Sequence, residues 1–274
     1  MEDADKTPKS AAPGGEPVTP FSNLAVAPTP WTLRNLLVLL GCAFLALIAA
    51  NFLAMAGYML LVSKPNWKLA PEALRYNAIF NASLLTTFHI LFLGVIYLFL
   101  AVNHGLPFWQ GLGWRKISAR AAGACALGGV ALAILIQFAP PLLPSSQEFP
   151  LQKLFNSPAA GYIIAAFAIL IAPFMEELIF RGLLFAFLER LTGVPMAVVG
   201  TAALFAALHV SQYWGAWNHV VLITLVGVCF SLVRGVTGSV TPAYVLHTAY
   251  NATLIAGLFW QSNYFRSFPA NWGP

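Results

Sequence analysis

The chain has 274 residues, 59% of them hydrophobic and 8% charged, where soluble domains carry roughly a quarter charged residues. That balance excludes an ordinary soluble globular protein. The net charge of +5 is spread over short loops without a basic stripe, which fits orientation in a bilayer better than nucleic-acid binding.

Cys42, Cys125 and Cys229 lie far apart in apolar runs, so neither a disulfide framework nor a CxxC metal site follows from them. Residues 1–33 are polar and rich in proline (Pro8, Pro13, Pro17, Pro20, Pro28, Pro30), which predicts a disordered cytoplasmic tail and no cleavable signal peptide. Leu36 to Val62 is an uncharged run longer than the ~20 residues that cross a bilayer. A loop with Lys64, Lys68, Glu72 and Arg75, and with Trp67 and Tyr76 suited to the interface, leads to a second span over Asn77–Val102. His89 in that span has no acidic neighbour and reads as a packing histidine, bonded to a backbone carbonyl or a facing helix.

Arg115, Lys116 and Arg120 precede a third span, Ala121–Leu143, in which Gly123, Gly128 and Gly129 permit close helix contact. Pro140, Pro141 and Pro144 end it. The helical pattern from Pro158 to Leu188 would extend about 46 Å as one helix against a ~30 Å hydrocarbon core. It has to tilt, protrude or break, and Pro173 is the expected break, since its missing amide orphans the Ile169 carbonyl. Val194–Val210, Gly215–Val233 and Val240–Phe265 complete the series as spans five to seven.

The expected fold is therefore all-α, a polytopic transmembrane bundle of seven or eight spans. It divides into N-terminal transmembrane helices over 34–150, a catalytic unit over 151–266 and a C-terminal tail over 267–274. With the N-terminus inside, eight Lys/Arg lie on inner segments (Lys6, Lys9, Arg34, Arg115, Lys116, Arg120, Arg190, Arg234) and five on outer ones (Lys64, Lys68, Arg75, Lys153, Arg266). That asymmetry favours a cytoplasmic N-terminus in a cell membrane.

The polar residues of the apolar stretches fall into three constellations. Ile-Ala-Pro-Phe-Met-Glu-Glu-Leu-Ile-Phe-Arg, residues 171–181, sets Glu176 and Glu177 side by side in a hydrophobic run, where carboxylates are rare and mark function. Helical spacing by four makes Glu177 the partner of Arg181, while Glu176 points elsewhere. A buried Glu–Arg pair that only fixed helix packing would not need the second carboxylate. Phe205 and His209 are four apart in span five, as are His247 and Asn251 in span seven, so each pair shares a helix face. His209 alone would read as an interfacial or packing residue, as His219 does. His247 with Asn251 alone would read as interhelical hydrogen bonding.

Together these groups suffice to hydrolyse an amide. A carboxylate in a low-dielectric pocket can act as general base toward water with a histidine sharing the proton, and a second histidine and an amide N–H can donate to the developing oxyanion. Glu-Glu-x-x-x-Arg, Phe-x-x-x-His and His-x-x-x-Asn, in this order on membrane helices, resemble the CAAX-protease and bacteriocin-processing (Abi) family of intramembrane proteases, which includes the Ras-converting prenyl endopeptidases. The resemblance covers about residues 155–265. It implies that Glu176 activates water with His209, that His247 and Asn251 form the oxyanion site, and that Glu177 and Arg181 support it.

The implied partners are a membrane-embedded or lipidated peptide substrate and the bilayer, with no nucleic acid. No cofactor is required on the favoured reading; the alternative is a zinc held by Glu176, His209 and His247 with an open fourth position. Two other classes compete, a proton-coupled carrier using the Glu/His set as a relay and a catalytically silent scaffold. Against the carrier, the polar set lies wholly in the C-terminal half, without the matching interrupted helices of an inverted repeat.

Overall fold

The computed structural model describes residues 30–61, 74–138 and 153–267. The proline-rich tail up to residue 29, the loop with Lys64, Trp67, Lys68 and Glu72, the prolines at 140, 141 and 144, and the C-terminal tail from 268 lie outside the described residues. All regular structure among the described residues is helical: α1 (Leu33–Leu61), α2 (Ala78–Leu98), α3 (Phe108–Gly111), α4 (Ala119–Gln137), α5 (Pro158–Ala166), α6 (Ala172–Glu177), α7 (Phe185–His209), α8 (Trp217–Thr237) and α9 (Val240–Gln261). Wide π-turns extend α2 over Phe99–Asn103 and join α5 to α6 over Phe167–Ile171 and α6 to α7 over Leu178–Leu184.

Local chemistry sets the starts of these helices. Asn77, Ser118 and Ser157 each accept a hydrogen bond from the amide three residues on, at 2.9, 3.2 and 3.2 Å, which satisfies an orphan donor of the first turn. Pro158 sits at the first helical position after Ser157, where its missing amide costs nothing. Gly238, at φ 63°, closes α8 in the left-handed conformation, and Ser239 starts α9 at once.

Among the described residues, five helical runs are long and apolar enough to cross a membrane: 33–61, 78–103, 119–137, 158–209 and 217–237. The protein is an integral membrane protein, and large side chains such as Phe52, Leu60 and Leu61 on α1 stay exposed, as a lipid-facing surface requires. The seven-span expectation differs from this at α9, which carries His247 and Asn251 and is not among the five. The run 158–209 covers the residues expected for spans four and five.

The long run does break, but not at Pro173. Gly193 has φ 79° and ψ 171°, a non-helical geometry open to glycine, and there the chain turns into the leg that ends at His209. At Pro173 the helix instead continues through the preceding π-turn, in which the Ala172 amide bonds to Phe167 O, five residues back. A proline in a helix needs a local adjustment of this kind, and the π-turn supplies it without a break.

Two glycines bring helices into close contact. A Cβ on Gly129 of α4 would land on the Leu246 carbonyl of α9. A Cβ on Gly227 of α8 would lie 3.3 Å from Ala202 on α7. At one end of the bundle Trp31, Phe99, Leu112, Leu178 and Leu183 form a buried cluster that ties the first two helices to the π-turn below Glu177.

Candidate active site

Glu177 and Arg181 form a fully buried ion pair, Oε1 to Nη1 at 2.8 Å, with both side chains 0% exposed. Arg181 also donates Nη2–H to Gly227 O at 3.0 Å, and its guanidinium lies 4.8 Å from the Phe205 ring and 5.3 Å from the Phe230 ring. A guanidinium offers a flat fork of donors and a face that stacks on aromatics, so one side chain ties the π-turn at 178–184 to both α7 and α8. Arg234 reinforces it by donating Nε–H to Arg181 O at 3.0 Å.

The same Glu177 oxygen accepts from His247, whose Nδ1 lies 2.8 Å away. That bond fixes the imidazole, held further by Phe230 at 4.4 Å between ring centres, with Nε2 on the Glu176 side, 3.7 Å from Oε2. The carboxylate that pairs with Arg181 thus also orients a histidine 70 residues away. Sequence spacing gives the Arg181 contact; it cannot give the His247 contact, which depends on how α9 crosses α6.

Glu176 differs from its neighbour in exposure, its side chain being 25% accessible where Glu177 is sealed. It faces a cavity of about 740 Å³ whose walls also carry His209, His247 and Asn251. His209 donates Nδ1–H to Phe205 O at 2.8 Å, so the neutral ring keeps its Nε2 lone pair for the cavity. Asn251 donates Nδ2–H to Ala168 O at 2.9 Å. In the π-turn register the amide serving Ala168 O would be that of Pro173, which has none, so Asn251 fills the place of a missing backbone donor. Its second amide hydrogen and its oxygen make no hydrogen bond among the described residues.

All six residues singled out from the sequence are thus brought together: four on the cavity wall and Glu177 with Arg181 directly behind it. Two cavity residues were not reached that way. Tyr213 lies in the turn after α7 and lines the cavity, with its ring stacked on His219 at 5.5 Å. Loss of water, then the Glu176 charge, pushes its hydroxyl up to about 12, which keeps it a donor at neutral pH. A tyrosine in an irregular loop carries no periodic signal. The other is His89, read from sequence as packing, which lines the same cavity.

Among the described residues no three His, Cys, Asp or Glu side chains are placed to hold a metal ion. Glu176 pairs with His247 alone, while His209 makes no ion pair among the described residues. A catalytic zinc needs three ligands about 2.0–2.2 Å from one point, and no such group of three is found among the described residues.

Residues 158–253 match a family model described as type II CAAX prenyl endopeptidase Rce1-like. No curated protein and no solved structure matches the chain. The matched stretch begins at α5 and ends just past Asn251, so it contains every residue of the three constellations. In this stretch the chain is similar to the Rce1-like type II CAAX prenyl endopeptidases.

Proposed function

We propose that the protein is an intramembrane endopeptidase in which Glu176 and His209 activate water and His247 and Asn251 stabilise the oxyanion. The observation that carries this reading is the convergence of Glu176, His209, His247 and Asn251 on one cavity, with the only accessible carboxylate of the Glu-Glu pair facing into it. A water held between Glu176 and the Nε2 lone pair of His209 gives up a proton to Glu176 as its oxygen attacks the peptide carbonyl carbon. The carbonyl π electrons move to oxygen, and the oxyanion meets preorganised N–H donors, where such donors are worth most in a water-poor site.

Asn251 supplies the amide hydrogen not used by Ala168. His247 donates Nδ1–H to Glu177 and, as an imidazolium, has a second donor, Nε2–H, on the cavity side. On collapse the C–N bond breaks, and the proton held by Glu176 passes to the leaving nitrogen. Glu177 and Arg181 touch no reacting atom; they hold His247 and the π-turn in place. The substrate is a lipidated or membrane-embedded peptide. The protein sits in a cell membrane with its N-terminus cytoplasmic, the orientation favoured by its Lys/Arg distribution.

The test is hydrolysis of an internally quenched, S-farnesylated peptide with a Cys-aliphatic-aliphatic-X end by purified protein in detergent. Wild type is expected to cleave it and Glu176→Gln to lose at least about a hundredfold in kcat. Equal activity in Glu176→Gln would remove the assignment.

A further inference from the structure

His89 is the third imidazole on the cavity wall, beside His209 and His247, and the chemistry above gives it no task. It projects from α2, outside residues 158–253. Its ring lies parallel to Phe167 at 5.9 Å and 13°, against the π-turn whose Ala168 carbonyl holds Asn251. A packing histidine between membrane helices bonds a carbonyl or a neighbouring side chain. His89 does neither: Nδ1 is enclosed with no hydrogen-bond partner among the described residues, whereas Nε2 is not enclosed in this way.

A neutral imidazole carries one ring proton. A buried N–H without an acceptor is the rarer fault in folded proteins, an unfilled acceptor the commoner one. The proton therefore belongs on Nε2, and the ring presents a donor to the cavity. Ala82, Leu85 and Phe167 line the same cavity, and the His89 ring forms no hydrogen bond among the described residues, so the acceptor it lacks is one brought in from outside. We propose that His89 is a substrate-binding residue whose Nε2–H donates to a main-chain carbonyl of the peptide lying in the cavity. The proposal rests on the endopeptidase reading and extends the site to a helix of the N-terminal half.

The experiment uses the quenched farnesylated peptide with His89→Phe and His89→Gln. Phenylalanine keeps the ring on Phe167 and removes a buried nitrogen without a partner, so a merely structural histidine would give an unchanged KM and an equal or higher melting temperature. The expected result is a rise in KM of about tenfold in His89→Phe, the size of one neutral hydrogen bond, with kcat within about twofold and no loss of melting temperature. His89→Gln, which restores an N–H, is expected to stay within about threefold of wild type. Unchanged KM in His89→Phe overturns the proposal, as does equal impairment of both variants with lowered melting temperatures. A wild-type protein inert toward the peptide overturns the endopeptidase reading itself, and the proposal with it.

Discussion

Replacing Arg181 by alanine should unfold more of the protein than any change at Glu176. Glu177 Oε1 would keep only His247 as a partner, and its Oε2 has none among the described residues, so a carboxylate with 0% exposure would be left largely unpaired. Gly227 O would lose its donor, and the Phe205 and Phe230 rings would lose the group between them. Breaking one side of a buried pair costs about 3–5 kcal/mol, a large share of a total stability of roughly 5–15 kcal/mol. Arg181→Lys keeps the charge but loses the fork that reaches both Glu177 and Gly227, and should lie between, at about 1–2 kcal/mol. Glu176→Gln alters a partly accessible side chain with a single 3.7 Å charge contact, for which about 1 kcal/mol or less is expected. Thermal melting and size-exclusion profiles of detergent-purified variants, read beside peptide hydrolysis, separate the two glutamates. Glu177→Gln and Arg181→Ala should lose folded yield, whereas Glu176→Gln should melt like wild type and be inactive. The exchanged pattern would mean that the sealed glutamate is the base and the accessible one structural, and the division of labour between them would be wrong.

Hydrolysis should survive excess strong chelator, because Glu176, His209 and His247 are not arranged as a zinc set; loss of activity restored by Zn²⁺ would contradict this. The cavity runs from Glu176 to Arg75 and Tyr76 before α2 and to Ser211 and Gln212 after α7, the end of the bundle away from the start of α1. In a cysteine-free background, Gln212→Cys is therefore expected to react with a membrane-impermeant maleimide from the face opposite an N-terminal tag, and labelling from the same face would refute that placement. Gly129→Leu should lower the melting temperature sharply, because even a Cβ there would land on the Leu246 carbonyl; a wild-type melt would show that α4 and α9 do not pack so closely.

Much of the site was legible in the sequence because helical spacing is a local property. Glu177 with Arg181, Phe205 with His209, and His247 with Asn251 are each four apart, and each pair shares a face in the structure. The cost of polar groups in lipid then argued that the three faces meet. What could not be read is how they meet. The His247–Glu177 bond joins residues 70 apart, and the Asn251–Ala168 bond residues 83 apart. Neither is a product of periodicity. The turn at Gly193 falls in the interval left between the spans ending at Leu188 and beginning at Val194, where the pattern lapses, while Pro173 drew attention as a further break because proline is the stronger breaker. The structure keeps the turn before Val194 and carries the helix through Pro173 without a break.

The continuity of the helix at Pro173 explains how Glu176 is oriented. A clean break at Pro173 would have let the two halves of the helix swing, and Glu176, three residues on, would have swung with them. A π-turn adds one residue to the helical circuit and rotates the next stretch of helix without cutting the rod. Here one π-turn precedes the Glu-Glu pair and another comes after it, so the short helix α6 that carries both carboxylates is turned independently of α5 and α7. Each π-turn is clamped by a polar side chain from a neighbouring helix, Asn251 on Ala168 O and Arg234 on Arg181 O. The clamps come from α9 and α8, so the orientation of Glu176 depends on tertiary packing rather than on its own helix. Asn251 then replaces the donor that Pro173 lacks, and on the proposed mechanism its second amide hydrogen serves the oxyanion. The proposed mechanism thereby joins the backbone irregularity that orients Glu176 to the residue it assigns to the oxyanion.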